Sequence, residues 1–118
     1  MTKGLEEKRR YLRLSVPIEF EYNFLDSDKI YIAVTNDLSA TGLRFVSDNA
    51  LLKEKLMLEL KLKLPNVQNP VHASGQVVWL NKNNPGVDPA VDVGIEIVSI
   101  EEDNKNTFLK YLCDLIYG

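Results

Sequence analysis

Apolar and polar residues alternate along most of this chain, and the dominant period is two. Val16, Ile18, Phe20 and Tyr22 alternate with Glu19 and Glu21, which predicts a half-buried strand over 15–22. Pro17 has no N–H to give a ladder, so this strand starts there or lies at an edge. A turn at 25–29 leads to a second strand over 30–34, carried by Ile30, Tyr31, Ile32 and Val34, and a third over 43–46. Residues 48–54 make either a short helical turn or a loop. Over 56–64 Leu56, Leu58, Leu60, Leu62 and Leu64 alternate strictly with Met57, Glu59, Lys61 and Lys63. Good helix formers fill this stretch, yet in helical spacing the leucines would wrap all the way round, so a strand is predicted. A loop at 65–70 precedes a fifth strand over 71–80, in which Gly75 marks a bulge or bend. After a long turn at 81–89, which contains Pro85-Gly86, a sixth strand runs over 91–98.

The period then changes. Ser99 with Glu102 three residues on has the form of a capping box, and Phe108, Tyr111, Leu112, Leu115 and Ile116 recur at helical spacing. A helix over 100–117 follows, with Gly118 as its C-terminal cap and with Leu109 and Cys113 widening its apolar face. Six strands and one terminal helix predict an all-β-dominated fold, a six-stranded antiparallel β-barrel with a packed C-terminal α-helix. The helix covers an open end or side of the sheet, or lends part of its surface to a subunit contact.

Length and charge narrow the function. At 118 residues there is room for one domain. Hydrophobic residues make up 45% and charged residues 26%, an ordinary balance for a soluble globular protein. The formal net charge is −3, with basic residues concentrated near the start, which favours a small anionic ligand over a nucleic-acid polymer. Cys113 is the single cysteine, no stretch reads as a secretory signal, and no apolar run is long enough to span a bilayer. A cytoplasmic protein without membrane insertion is expected. One histidine, His72, gives no cluster to hold zinc and no nucleophile–base–orienter set, so neither an enzyme nor a metal site is expected.

The candidate chemistry lies in two places. Three of the four arginines fall in Lys8-Arg9-Arg10-Tyr11-Leu12-Arg13, and the fourth, Arg44, lies two residues past Gly42. Arginine suits bidentate capture of phosphates and of the guanine Hoogsteen edge. In an extended arm Arg9 and Arg13 lie about 13 Å apart on the same side. The stretch Asn36-Asp37-Leu38-Ser39-Ala40-Thr41-Gly42 breaks two apolar runs with a carboxylate, two hydroxyls and a glycine. It forms a turn that presents Asp37 and Ser39 while Gly42 allows a sharp bend or a close approach. Taken alone, Asp37 and Ser39 suit a turn that satisfies its own backbone. His72 reads as a surface or edge residue, Cys113 as a small core residue, and Trp79 as a core or rim residue with a minor share for base stacking. Gly94 marks a bulge or a close approach.

Arg9-x-x-x-Arg13 followed by Asp37-x-Ser39-x-x-Gly42 resembles the paired signature of PilZ domains, bacterial receptors for cyclic di-GMP. The stretches Gly75-Gln76-Val77-Val78-Trp79 and Val93-Gly94-Ile95-Glu96-Ile97 look like the later strands of that family, so the likeness runs from residue 8 to about 117. Residues 1–13 are polar and without period and read as an arm that is loose without a ligand, or as a solvated charged tail. The expected division is a flexible arm at 1–7 and a barrel domain at 8–118, and the resemblance implies that the arginine-bearing segment folds over a docked dinucleotide. Arg9 and Arg13 would contact phosphates and guanine edges, Asp37 and Ser39 the remaining polar groups, and Gly42 would keep the turn tight. Lys8, Arg10, Arg44 and Gly94 are further candidates, and a cation at position 8 is compatible with a stacked pair of ligand molecules. The expected protein is a standalone second-messenger receptor, monomer or homodimer, that changes conformation on binding. It would relay the signal to a partner protein with a motility, adhesion or biofilm output. A nucleotide-independent adaptor of the same fold and a small single-stranded nucleic-acid binder are the rival readings.

Overall fold

The computed structural model describes residues 13–82 and 89–117. Six strands follow in order: β1 (Glu19–Phe24), β2 (Tyr31–Leu38), β3 (Gly42–Ser47), β4 (Met57–Lys63), β5 (Val71–Lys82) and β6 (Val91–Ile100). One helix, α1 (Glu102–Tyr117), ends the chain. The strands close into an antiparallel barrel in the order β1-β2-β3-β6-β5-β4, with β4 pairing back to β1. Closure leaves no strand edge open.

The period-two pattern is what fills the barrel. Phe20 and Tyr22 of β1, Leu58, Leu60 and Leu62 of β4, and Val71, Ala73 and Val77 of β5 all point inward and are buried. Phe45 meets Phe20 edge to face at 5.1 Å between ring centroids, an arrangement that favours the ring quadrupoles. The outward positions of β4, Glu59, Lys61 and Lys63, lie in solvent, and Lys63 pairs with Glu19 and Glu21 of β1. Phe108 and Leu112 bury the inner face of α1 against the core.

Two boundaries differ from the alternation. Residues 15–18 do not enter β1, because Pro17 cannot donate to a ladder. A side chain replaces the missing ladder bonds. Thr35, the one buried polar residue among the described ones, donates from Oγ1 to the carbonyl of Val16 at 2.6 Å and accepts from the N–H of Ile18 at 2.9 Å. At the chain's other end, Ser99 does not cap the helix. Ser99 and Ile100 pair with β5, so sheet pairing outweighs the capping box and the helix starts at Glu102. The N–H of Glu101 donates to the His72 carbonyl, and the His72 N–H donates to Asn104 Oδ1, tying helix to sheet through the backbone of a half-buried histidine.

Other differences are smaller. Residues 48–54 form a loop pinned by Asn49, whose Nδ2 donates to the Tyr22 hydroxyl at 2.9 Å and whose Oδ1 accepts from the N–H of Leu51. The apolar face of α1 is narrower than its sequence suggests: Cys113, Leu109, Leu115 and Ile116 are exposed, since the barrel contacts only the stripe through Phe108 and Leu112. The proposed cap Gly118 and the arm at 1–7 lie outside the described residues.

Replacing Thr35 by valine keeps the shape but leaves a buried N–H and a carbonyl without partners. Thr35→Val should lose roughly 2–3 kcal/mol in urea denaturation, with Thr35→Ser much closer to wild type. Equal stability of the valine variant would show that the 14–18 segment is held by something other than this hydroxyl.

Candidate functional site

The site is built on the outer wall of the barrel, where β2, β3, β6 and the end of β5 lie side by side. A register shift delivers its carboxylate. Thr35 pairs with Phe45 but Asp37 pairs with Arg44, so Asn36 is an extra residue on β2. Thr35 therefore points inward, Asp37 outward and Leu38 inward again, where strict alternation from Thr35 would have turned Asp37 into the core. The carboxylate is thus presented by a bulge within a strand, and the turn proper is confined to 39–41.

That turn serves itself. The Ser39 N–H donates to the Gly42 carbonyl at 2.9 Å, and Ser39 Oγ accepts from the Thr41 N–H at 3.3 Å while lying 3.3 Å from the Gly42 carbonyl. Gly42 is required by packing rather than by an unusual backbone angle: a Cβ there would lie 2.5 Å from the Ile95 carbonyl oxygen. The close approach lets Ile97 donate its N–H to Thr41 at 2.7 Å, extending the β3–β6 seam into the turn.

A second shift shapes the opposite wall. Val77 pairs with Ile95 but Trp79 pairs with Gly94, which makes Val78 the extra residue of β5. The inward series Val71, Ala73, Gly75, Val77 would place Trp79 in the core; the bulge turns it out across Gly94. Its indole lies directly against the glycine, so that a Cβ at Gly94 would fall 2.6 Å from Trp79 Cζ2 and nearer still to Nε1 and Cε2. Of the two readings of Gly94, close approach is the one the structure shows; the bulge lies beside it, at Val78 on β5.

The N-terminal segment is fastened to the same place. Leu14 and Leu38 exchange two backbone hydrogen bonds of 2.8 Å each, which sets the exposed Arg13 at the mouth of the cleft. The cleft has a volume of about 480 Å³, within the range of small-ligand sites, and Arg13, Asp37, Ser39, Arg44, Trp79 and Glu96 all line it. Of the expected site residues, Arg13, Asp37, Ser39, Gly42, Arg44 and Gly94 meet here. Lys8, Arg9 and Arg10 lie outside the described residues.

Charge in the cleft is ordered by one ion cluster. Arg44 Nε donates to Asp37 Oδ2 at 2.7 Å, and its Nη1 donates to Asp92 Oδ1 at 2.8 Å, joining β2, β3 and β6. Ser15 Oγ donates to the other oxygen of Asp37 at 3.2 Å. The hydrogen bond from Arg44 holds the Asp37 carboxyl below its ordinary value of 3.8, helped by Ser15 and by the charge of Arg13, against an opposing push from burial. Arg44 is raised in turn, chiefly by its bond to Asp37. Asp37 is therefore ionised at neutral pH and acts as an acceptor only. Among the described residues, no group of three or more His, Cys, Asp or Glu lies together in a way that would hold a metal ion.

Nothing in the sequence marks Asp92 or Glu96, and Trp79 reads there as a core or rim residue. An isolated carboxylate on a strand carries no signal of its own, and the side on which Trp79 lies depends on a bulge that alternation conceals.

Two outcomes follow from this geometry. Asp37 has a lowered folded pKa, so its contribution to stability is complete above its unfolded value and is lost as pH falls through the folded one. Asp37→Asn should therefore show less loss of thermal stability below about pH 4 than wild type, measured by melts across a pH series. Gly94→Ala must displace the indole, and is expected to shift the emission of the single tryptophan and cost roughly 1–3 kcal/mol. An unchanged emission spectrum would mean that Trp79 does not rest on Gly94.

Comparison with known proteins places this arrangement. The PilZ domain family model matches residues 7–113. Among solved structures, the PilZ domain with c-di-GMP of YcgR from Escherichia coli aligns at TM-score 0.67 and 15% identity, over 89% of this chain and 88% of that one. The inhibitor of motility MotI/DgrA of Bacillus subtilis aligns at TM-score 0.69 and 18% identity, over 87% of this chain and 48% of that one. The MrkH–c-di-GMP complex of K. pneumonia aligns at TM-score 0.71 and 15% identity, over 92% and 51%. The chain thus spans about half the length of MotI/DgrA and MrkH, and likeness at these identities is one of fold. No curated protein matches the chain. The closed six-stranded barrel, its terminal helix and a family match over nearly its whole length make this chain a member of the PilZ domain family.

Proposed function

We propose that this chain is a non-enzymatic cyclic di-GMP receptor that relays the second messenger to a partner protein. The observation that carries the reading is the convergence of Arg13 with Asp37, Ser39 and Gly42 in one cleft, although about two dozen residues separate the two motifs. The cleft offers what a cyclic dinucleotide of two guanines and two phosphates asks for. Arg13 is exposed and supplies a guanidinium fork for a phosphate or a guanine Hoogsteen edge. Asp37 supplies an ionised acceptor for guanine N–H groups, and Ser39 a hydroxyl at the turn. Trp79 supplies an aromatic face on which a base can stack. Arg9, four residues before Arg13, is the second guanidinium of the signature, with Lys8 and Arg10 beside it. The YcgR domain and MrkH structures contain c-di-GMP, which supports the same ligand class for this chain.

The relay follows from how the segment at 14–18 is held. It meets the barrel through Leu14, Ser15 and Thr35, so a ligand that engages Arg13 and Asp37 together acts on the junction between this segment and β2. A change there alters the surface a partner sees. A cytoplasmic location and an output in motility, adhesion or biofilm formation belong to the same reading. Among the described residues no helix is long and apolar enough to cross a membrane.

One observation favours the nucleotide-independent adaptor. Ile30, Ile32 and Val34 are exposed along β2 and its lead-in, Ile32 to 66%, on the strand that carries Asp37. Such a stripe would serve protein contact with or without a ligand.

Calorimetry with cyclic di-GMP, beside GTP and cyclic GMP, separates the two. Selective binding is expected, weakened by about 10- to 100-fold or more in Arg13→Ala and in Arg9→Ala, the loss of a charge-assisted pair. Quenching or a shift of Trp79 emission on titration should report the same affinity. Absence of binding at high micromolar ligand would leave the adaptor reading.

A further inference from the structure

We propose that Arg44 is a positioning residue of the cleft: it fixes the Asp37 carboxylate as an oriented acceptor for the ligand, and Asp92 keeps it on that task. This role presupposes the receptor reading above and identifies how its acceptor is built.

The guanidinium of Arg44 is engaged on two edges at once, by Asp37 through Nε and by Asp92 through Nη1. The two carboxylates come from the strands on either side of β3, so neither can follow the arginine if it swings. The three side chains are only 18–29% exposed. Their summed formal charge is negative, and two of the guanidinium nitrogens of Arg44 are already bonded to carboxylates. Arg44 is therefore less free to take an anion than Arg13, which is exposed at the mouth of the cleft.

Asp37 gains what a ligand acceptor needs. Arg44 Nε occupies one position on Oδ2 and Ser15 Oγ one on Oδ1. A carboxylate oxygen accepts at two positions, so each keeps one for a donor arriving from the cleft. Bonds from β3 on one side and from the 14–18 segment on the other prevent rotation about the Asp37 side chain. A bound guanine then meets an acceptor already in place, without the cost of ordering it. The groups that act on Asp37 are Arg44 from β3 and Ser15 and Arg13 from the N-terminal segment; on β6, Asp92 shares Arg44 and Glu96 lines the same cleft. Removal of Arg44 leaves Asp37 with the Ser15 hydroxyl and the more distant charge of Arg13, and leaves Asp92 without its cation.

The test combines a ligand-free and a ligand-bound readout on the full chain. Carbon-13 NMR titration of the Asp37 carboxyl is compared in wild type, Arg44→Gln, Arg44→Lys and Asp92→Asn, and cyclic di-GMP affinity is measured from about pH 7.5 to about pH 4.5. In wild type Asp37 should titrate below 3.8 and affinity should stay level across that range. In Arg44→Gln the titration should move upward, and affinity should fall by about 5- to 20-fold at neutral pH and further as the solution is acidified. Arg44→Lys should restore most of the level pH profile but only part of the affinity, because an ammonium pairs with one carboxylate and fixes its orientation less well. Asp92→Asn should weaken binding less than Arg44→Gln while Asp37 still titrates low. Thermal melts establish that each variant is folded, and the Asp92 and lysine variants carry the test if the glutamine variant is not. An Asp37 titration unmoved in Arg44→Gln, or a loss of affinity as large as that of Arg13→Ala and independent of pH, would overturn the proposal. Wild-type protein that gives no heat with cyclic di-GMP refutes the receptor reading instead, and the ligand-free titration still reads whether Arg44 governs Asp37.

Discussion

In a closed sheet every side chain faces either the core or the outside, and the pleat decides which. The candidate site depends on two places where that rule is reset. Asn36 on β2 and Val78 on β5 are extra residues in their ladders, and just past each one a side chain that simple alternation would bury, Asp37 or Trp79, is turned outward. Between them lie β3 and β6, which pair with each other in regular register and present Arg44 and Gly94. The outer wall is otherwise ordinary, with charged residues on β1 and β4 and apolar ones on β2. A polar acceptor and an aromatic face are brought to the two sides of one cleft by local changes of register, while the core residues behind them, Phe45, Val77 and Ile95, stay in step.

The same economy appears where the chain enters the barrel. Pro17 rules out regular pairing, and one buried hydroxyl, that of Thr35, replaces two ladder bonds. Thr35 is also the last regular residue before the Asn36 bulge. The attachment of the N-terminal segment and the outward turn of Asp37 are therefore consecutive events on one strand, and Ser15 links them through its bond to the carboxylate.

Much of this was legible in the sequence. The number of strands, the terminal helix and the reading of 56–64 as a strand follow from the period of the apolar residues, because burial on one face writes itself directly into alternation. The two motifs were legible only together: Asp37 and Ser39 alone suit a self-satisfied turn, and the three arginines within five residues upstream are what set that turn apart. The side of Trp79 was not, because a bulge shifts parity without any marker residue: Val78 looks like one more strand valine. Arg44 was visible as a cation but not as a cation already bound, for its second partner, Asp92, lies 48 residues away and becomes a neighbour only through the β3–β6 pairing. The capping box at Ser99 failed for a related reason, since a local signal lost to a long-range ladder.

The bridge between Leu14 and Leu38 has a consequence for how firmly a ligand can be held. Arg13 is joined to the wall that carries Asp37 by a single residue of backbone, and Arg9 precedes it by four residues, a contour of about 14 Å at most. In the receptor reading proposed above, arm and wall would act as the jaws of a chelator rather than as separate binding surfaces. A ligand that touched one would meet the other at an effective concentration in the millimolar range or above, set by the tether and not by the amount of protein in the cell.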